Sequence, residues 1–287
     1  MNAHEPRQTR SAQREATREK ARQLREARAR KDRSKSVALK LTAIIGGLVV
    51  VGLVAWGVIN AQQTSGNAKA EPTNMSFDSG IKIGSALQAF TNTNTPKPNP
   101  SAGAAGVPNI IMYVDYQCPV CGAFETANSE QIRQWVKSGL ATVEIHPISF
   151  LDVQSPNAYS SRAANAAICV ATYSPDQYFE FNSQLFANQP AEQTIGPDNA
   201  ALIQRAKDAG VSNADKISSC INGNTYHNWV TKTTSKVLDP KYVVAGTKVT
   251  VGGTPTIVVN GQQYPLTNQS LTSAAMFAQW VQQVTKG

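Results

Sequence analysis

Beyond its first forty residues the 287-residue chain carries no net charge, because Lys and Arg balance Asp and Glu at fourteen each. The whole excess of +8 lies in residues 1–40, where thirteen basic residues face five acidic ones. The chain's basicity is thus the property of a tail, and general charge gives no ground for a nucleic-acid-binding domain. Histidine is scarce: His4, His146 and His227 are the full set, and they make no motif with the cysteines. A zinc site needs four ligands, usually two close pairs or cysteines with suitably spaced histidines. One Cys pair without a companion excludes that pattern, so no metal is expected. No internal repeat is visible, and strand signatures are missing from residues 158–236.

What the chain does have, first, is one long run without charge. "LTAIIGGLVVVGLVAWGVI", residues 41–59, is nineteen residues long, close to what a helix needs to cross the hydrocarbon layer. The sequence therefore predicts one transmembrane helix over 41–60 behind a basic cytoplasmic tail, 1–40. A cleaved signal peptide is the alternative, since Ala61 and other small residues follow the run, but forty polar residues ahead of it are long for one. Basic residues on the N-terminal flank keep the tail in the cytoplasm, put the rest of the chain outside, and attract anionic head groups. The expected location is the cell membrane, single-pass, with the catalytic domain extracytoplasmic. All four cysteines, Cys118, Cys121, Cys169 and Cys220, lie beyond the run, in a compartment where disulfides persist. Three connectivities are open to them, and the close spacing favours 118 with 121 and leaves 169 with 220. Two separate buried thiols at 169 and 220 are the alternative.

Residues 61–107 read as a linker rich in small polar residues, Pro and Gly. Within it "GIKIGSALQAF" offers a short edge strand or turn. "NIIMYVDY", from 109, suits a buried strand; Pro119 to Lys137 has helical spacing with Phe124, Ile132 and Trp135 inward; and "GLATVEIHPISFL", from 139, is a second strand. In that strand Val143 and Ile145 share one side and Glu144 and His146 the other. A strand, helix, strand unit implies a parallel pair with a right-handed crossover. Five helical segments follow between 158 and 237, divided at Gly and Pro positions. "TPTIVVNGQQYPL" is a hairpin around Asn-Gly, and "LTSAAMFAQWVQQVTK" a final helix with Met276, Trp280 and Val281 among its buried candidates. The expected fold class is α/β, a thioredoxin-like core with an inserted helical domain: core 108–157, insertion 158–240, core 241–287.

"DYQCPVC", from Asp115, carries the chemistry. A bridge between Cys118 and Cys121 closes a tiny loop and stabilises little, so a purely structural role is a weak reading. Cys118 follows a strand and opens a helix, where unpaired N–H groups and the helix dipole favour a thiolate. Pro119 takes a first-turn position where its missing N–H costs nothing. Cys121, one turn on, is expected to be more buried. Cys118 is then the attacking sulfur and Cys121 the resolving one. Asp115, at the strand end, is a candidate to sit beneath the pair and assist proton transfer; an exposed strand-terminal carboxylate is the equal alternative. In "GGTPTIV" Pro255 cannot donate to a ladder and belongs at a strand's first residue or a bulge.

With this element order, "DYQCPVC" and "TPTIVVNG" resemble the DsbA family of extracytoplasmic thiol-disulfide oxidoreductases, in its membrane-anchored actinobacterial form, over residues 75–287. The resemblance implies a thioredoxin-like fold and disulfide exchange without a bound cofactor. It implies Cys118 as nucleophile, Cys121 as resolving residue, a cis bond before Pro255, and Thr254 in contact with substrate backbone. Cys169 and Cys220 resemble the second disulfide of actinobacterial members. The middle pair here is Pro119-Val120 where the best-known members have Pro-His, which removes a histidine that helps hold the thiolate. Implied partners are unfolded or partly folded secreted proteins and an integral membrane protein resembling DsbB or the vitamin K epoxide reductase-like proteins. With no separate dimerisation domain, a monomeric ectodomain is expected, and net oxidation leads over isomerisation and reduction. A non-catalytic thioredoxin-fold binding protein or chaperone is the reading from another class. His146 reads as a partly exposed strand histidine with local hydrogen bonds before it reads as an active-site group. Tyr173, Tyr178, Phe179, Phe181 and Phe186 read as core of the insertion before they read as the wall of a peptide groove.

Overall fold

The computed structural model describes residues 70–76, 79–91 and 107–286. The transmembrane helix expected over 41–60 and the basic tail lie outside these residues, and among the described residues no helix is long and apolar enough to cross a membrane.

Among the described residues five strands, β1 (Ile81–Ile83), β2 (Asn109–Val114), β3 (Thr142–Pro147), β4 (Thr256–Val259) and β5 (Gln262–Gln263), form one mixed sheet in the order β1-β3-β2-β4-β5. The centre is β2, Asn109–Val114, whose apolar and β-branched residues are buried along its whole length, as a strand covered on both faces requires. It pairs in parallel with β3, Thr142–Pro147, with Met112 opposite Ile145. On its other side it pairs antiparallel with β4, Thr256–Val259, with Met112 opposite Ile257. Asn260 and Gly261, both at positive φ, turn β4 into the short β5, Gln262–Gln263, the conformation that Asn-Gly permits. Inside the linker, Ile81–Ile83 is β1, an antiparallel edge strand on β3.

The crossover between β2 and β3 is α1, Pro119–Lys137. Phe124, Asn128, Ile132 and Val136 recur every four residues along its buried side, the stripe that a helix on a sheet needs. Asn128 is tolerated there because its amide donates to the Phe124 carbonyl at 2.9 Å and its oxygen accepts from Gln131 at 2.7 Å. After β3 come α2 (Tyr159–Tyr173), α3 (Tyr178–Ala187), α4 (Asn199–Asp208), α5 (Ala214–Asn222) and α6 (His227–Val237). Asp198 caps α4 by accepting from the Ala201 N–H at 2.9 Å. A disulfide between Cys169 of α2 and Cys220 of α5 joins Cα atoms 5.9 Å apart. Tyr178, Phe179, Phe181 and Phe186 are buried in this helical block, and Tyr173 is partly buried.

Two helices close the chain, α7 (Asn268–Leu271) and α8 (Ala274–Lys286). Met276, expected inside, is 38% exposed; the inward face of α8 is Phe277, Val281 and Val284, with Trp280 partly buried beside it. The ring of Phe277 decides this. It lies 5.1 Å from Phe124 and 5.0 Å from Tyr264, both edge-on, a geometry that favours aromatic pairs beyond their burial.

His146 also departs from expectation. It is buried, stacked on Tyr113 at 4.3 Å, with its Nε2 3.3 Å from Glu144. Ser76 and Gly80, just before β1, meet this face of the sheet. A Cβ on Gly80 would stand 2.5 Å from the His146 ring, so only glycine lets the backbone pass. Ser76 donates to Glu144 from the same segment, as does Asn109 from β2 at 3.3 Å. Burial alone would raise the Glu144 pKa, but His146, Ser76 and Lys82 outweigh it and hold the carboxylate down at about 2.

Candidate active site

Cys118 occupies the N-cap of α1, with Pro119 in the first turn and no side chain capping the helix. Of the free N–H groups of that turn, that of Cys121 bonds the Cys118 sulfur. Cys118 and Cys121 are both free thiols, 5% and 1% exposed. The Cys118 thiol donates to the carbonyl oxygen of Thr254 at 3.2 Å, and the Thr254-Pro255 bond is cis. This brings the two separated motifs into contact across the end of the sheet. Thr254 Oγ1 is buried and meets no other hydrogen-bonding group among the described residues, which leaves its hydroxyl available to donate toward a Cys118 thiolate.

The two sulfurs are driven apart in acidity. The Cys121 thiol donates toward Cys118 and lowers the Cys118 pKa; burial opposes this, while the Thr254 side chain and the Cys121 N–H add to it. Burial pushes the Cys121 thiol well above the ordinary range, and its role as donor to Cys118 pushes it further. One proton shared in this way leaves the charge on the outer sulfur.

Asp115 is fully buried, which settles its two readings in favour of the interior. Its Oδ1 accepts from the Gln117 N–H at 2.8 Å and the Ser160 hydroxyl at 2.7 Å, and its Oδ2 from the Leu151 N–H at 2.8 Å. Burial raises its pKa to about 7 despite these three bonds, with Asp152 adding repulsion. Its charge raises the pKa of both Cys118 and Cys121, so the carboxyl is within electrostatic reach of both sulfurs. Val120 is partly buried against the core between the two cysteines. His146 faces the strand β1 side and meets none of these groups in the contacts described above.

Several residues around the site were not singled out from sequence. Gln117, directly before Cys118, is buried and donates to the carbonyls of Ala191 at 3.0 Å and Thr194 at 3.1 Å. Gln189 donates to the Cys118 carbonyl at 2.8 Å. Glu125, one turn beyond Cys121 on α1, is buried with its Oε1 accepting from Asn182 at 3.3 Å, and burial lifts its pKa to about 7. Gly122, next to the Cys pair, is the one local signal for Gln189, since a missing side chain there leaves room for another. Among the described residues no cluster of His, Cys, Asp or Glu could hold a metal ion.

A reduced thiol pair with one low and one high pKa, set against a Thr-Pro turn, defines a thiol-disulfide exchange site on a thioredoxin-like fold. The comparisons agree: a family model described as Thioredoxin matches residues 97–279, more than half of the chain, and the chain belongs to that family. Its structure is similar to DsbA from Mycobacterium tuberculosis in the oxidised form, with TM-score 0.55 and 29% identity over 72% of this chain and 93% of that one. It is similar to the reduced disulfide oxidoreductase DsbG from Mycobacterium tuberculosis, with TM-score 0.54 and 29% identity over 72% and 88%. MdbA, a thiol-disulfide oxidoreductase from Actinomyces oris, shares the fold at TM-score 0.54 and 20% identity, over 75% of this chain and 95% of that one. The serine/threonine-protein kinase PknE of Mycobacterium tuberculosis matches at 33% identity over 114 residues, 38% of this chain. The chain spans about a fifth of the length of that curated relative, at 20%. The structural neighbours are thiol-disulfide oxidoreductases, and the chain is DsbA-like in fold and enzyme class.

Proposed function

We propose that the protein oxidises cysteine pairs in unfolded or partly folded secreted proteins, outside the cytoplasm, through a Cys118–Cys121 disulfide. The observation that carries this is the split acidity of the pair, with Cys118 lowered and Cys121 raised. A stabilised Cys118 thiolate favours the reduced enzyme and makes its disulfide the stronger oxidant. A substrate thiolate attacks Cys118 Sγ, a mixed disulfide forms, and Cys121 leaves as a thiolate. Asp115, protonated about half the time near pH 7, supplies the proton that the buried Cys121 needs. A second substrate thiolate then attacks the substrate sulfur of the mixed disulfide and releases Cys118 as thiolate. Two electrons pass from the substrate dithiol to the enzyme. Thr254, whose carbonyl already accepts from Cys118, is placed to meet substrate backbone.

The uncharged run at 41–59 supports attachment to the membrane with the site outside, and reoxidation by an integral membrane protein of the DsbB or vitamin K epoxide reductase-like kind. The test is the equilibrium of the Cys118/Cys121 couple in the full-length protein against glutathione. A potential near about −120 mV supports net oxidation, and one near about −270 mV would assign the protein to reduction. With disulfide-bearing substrate proteins, a Cys121→Ser variant should accumulate mixed disulfides on Cys118, because the Cys118 thiolate opens the substrate disulfide, one substrate sulfur leaves as thiolate, and no resolving sulfur follows; their absence would remove the exchange mechanism.

A further inference from the structure

The loop after α3 reaches back to the nucleophile's own peptide unit. The Cys118 carbonyl accepts two bonds, one from the Gly122 N–H at 3.1 Å, which opens the helix, and one from Gln189 Nε2 at 2.8 Å. In the opposite direction Gln117 spans to Ala191 and Thr194 of the same loop. Three side-chain hydrogen bonds thus join residues 117–118 to residues 189–194. The loop is anchored at its far end by Arg162, which donates to the carbonyls of Pro197 at 2.8 Å and Ile195 at 3.2 Å. Gly122 completes the arrangement: a Cβ there would stand 2.2 Å from Gln189 Oε1. The first turn of α1 therefore carries a glycine where the carboxamide lies across it.

We infer that Gln189 is a positioning residue that sets the reactivity of Cys118 from the helical insertion, and that Gly122 is its matched seat. The inference rests on the exchange reaction proposed above and adds to it a specific control of the nucleophile. The physical reason is twofold. The bond to the Cys118 carbonyl fixes the N-cap backbone that holds Sγ beside the Cys121 thiol and the Cys121 N–H, and the N–H end of the amide dipole, turned toward the site, favours negative charge there. Without it the thiolate loses both geometry and field.

The experiment measures the alkylation rate of Cys118 against pH in the full-length protein, together with its rate of exchange with a dithiol peptide. Gln189→Ala should raise the Cys118 pKa and slow both reactions at neutral pH by about 3- to 10-fold, which is half to one pKa unit. Gln189→Glu, which keeps the length but brings a carboxylate, should shift the pKa further in the same direction. Gly122→Ala should mimic Gln189→Ala by displacing the carboxamide, and the double variant should be little worse than either single one. An unshifted Cys118 pKa in Gln189→Ala and Gln189→Glu, or fully additive effects of the Gly122 and Gln189 changes, would overturn the inference. Thermal unfolding recorded alongside separates this from plain destabilisation, which would lower the midpoint without moving the thiol titration. The titration reads the Gln189 contact even in a protein that exchanges nothing, so failure of the exchange reaction and failure of the positioning role are distinguishable.

Discussion

The Cys118 thiol donates a 3.2 Å hydrogen bond to the carbonyl of Thr254, a residue 136 positions further along the chain. Everything between them, a crossover helix, a strand and five helices, serves to return the chain to this point. The contact leaves one sulfur facing a backbone acceptor, while the other stays behind it within electrostatic reach of a buried carboxyl.

Asp115, the proposed proton donor, should make this site pH-dependent. Asp115→Asn removes a charge that raises both thiol pKa values, so both should fall. The same change removes the proton donor for Cys121. Peptide oxidation near neutral pH should slow on the order of a hundredfold, the lower range for general acid-base groups, and the inflection near pH 7 should vanish from the rate profile. A profile that keeps its inflection and amplitude would assign the proton to another group.

Glu125 and Glu144 should bend the stability curve in opposite directions. Glu125 has a folded pKa of about 7, above its unfolded value, so the unfolded chain loses the proton first and stability falls as pH rises from about 4.5 to 7. Glu125→Gln keeps the acceptor for Asn182 and should recover up to about 3 kcal/mol at neutral pH. Glu144, held at about 2, contributes stability that is present above about pH 4.5 and is lost as pH falls toward 2. Glu144→Gln should weaken the protein at neutral pH and flatten the acid limb. Denaturant titrations across this range check both; a Glu125→Gln protein less stable than the parent at pH 7 would contradict the first.

The second disulfide should be inert to turnover. Cys169 and Cys220 tie two packed helices, α2 and α5, to each other, so opening this bridge requires attack on a linkage that the helical block holds in place. Differential alkylation after mild reduction should label Cys118 and Cys121 and spare the other two. Replacing both Cys169 and Cys220 with Ser should cost about 2–5 kcal/mol of stability and leave peptide exchange in place. Equal labelling of all four cysteines would remove this division of roles.

How far the sequence could be read depended on whether a feature was local. The span of α1 follows from Pro119 and the helical spacing of Phe124, Ile132 and Trp135, and the β4–β5 hairpin from Asn260-Gly261; both are set by neighbours in the chain. The alternation in β3 correctly groups Glu144 with His146, but says nothing of what covers that face. Gly80 lies against it, and only that tertiary contact with His146 reveals the burial. Met276 was misplaced for a similar reason: a helical stripe can be rotated by one position, and the ring of Phe277 among Phe124 and Tyr264 decides the rotation. Gln189 touches Cys118 from 71 residues away, and polar loop residues carry no periodicity from which such a reach can be read. Asp115 was visible as a candidate because its position before Cys118 is local, while its burial depends on Ser160 and Leu151 from later elements.

The central claim is that the start of α1 activates Cys118 while Cys121 is held neutral behind it. Alkylation rate against pH, with each modified cysteine mapped by mass, measures this in the reduced full-length protein. Cys118 should react first, with a midpoint below that of free cysteine, and Cys121 should stay unmodified until far higher pH. A faster reaction at Cys121, or a Cys118 midpoint at or above that of free cysteine, would contradict the account.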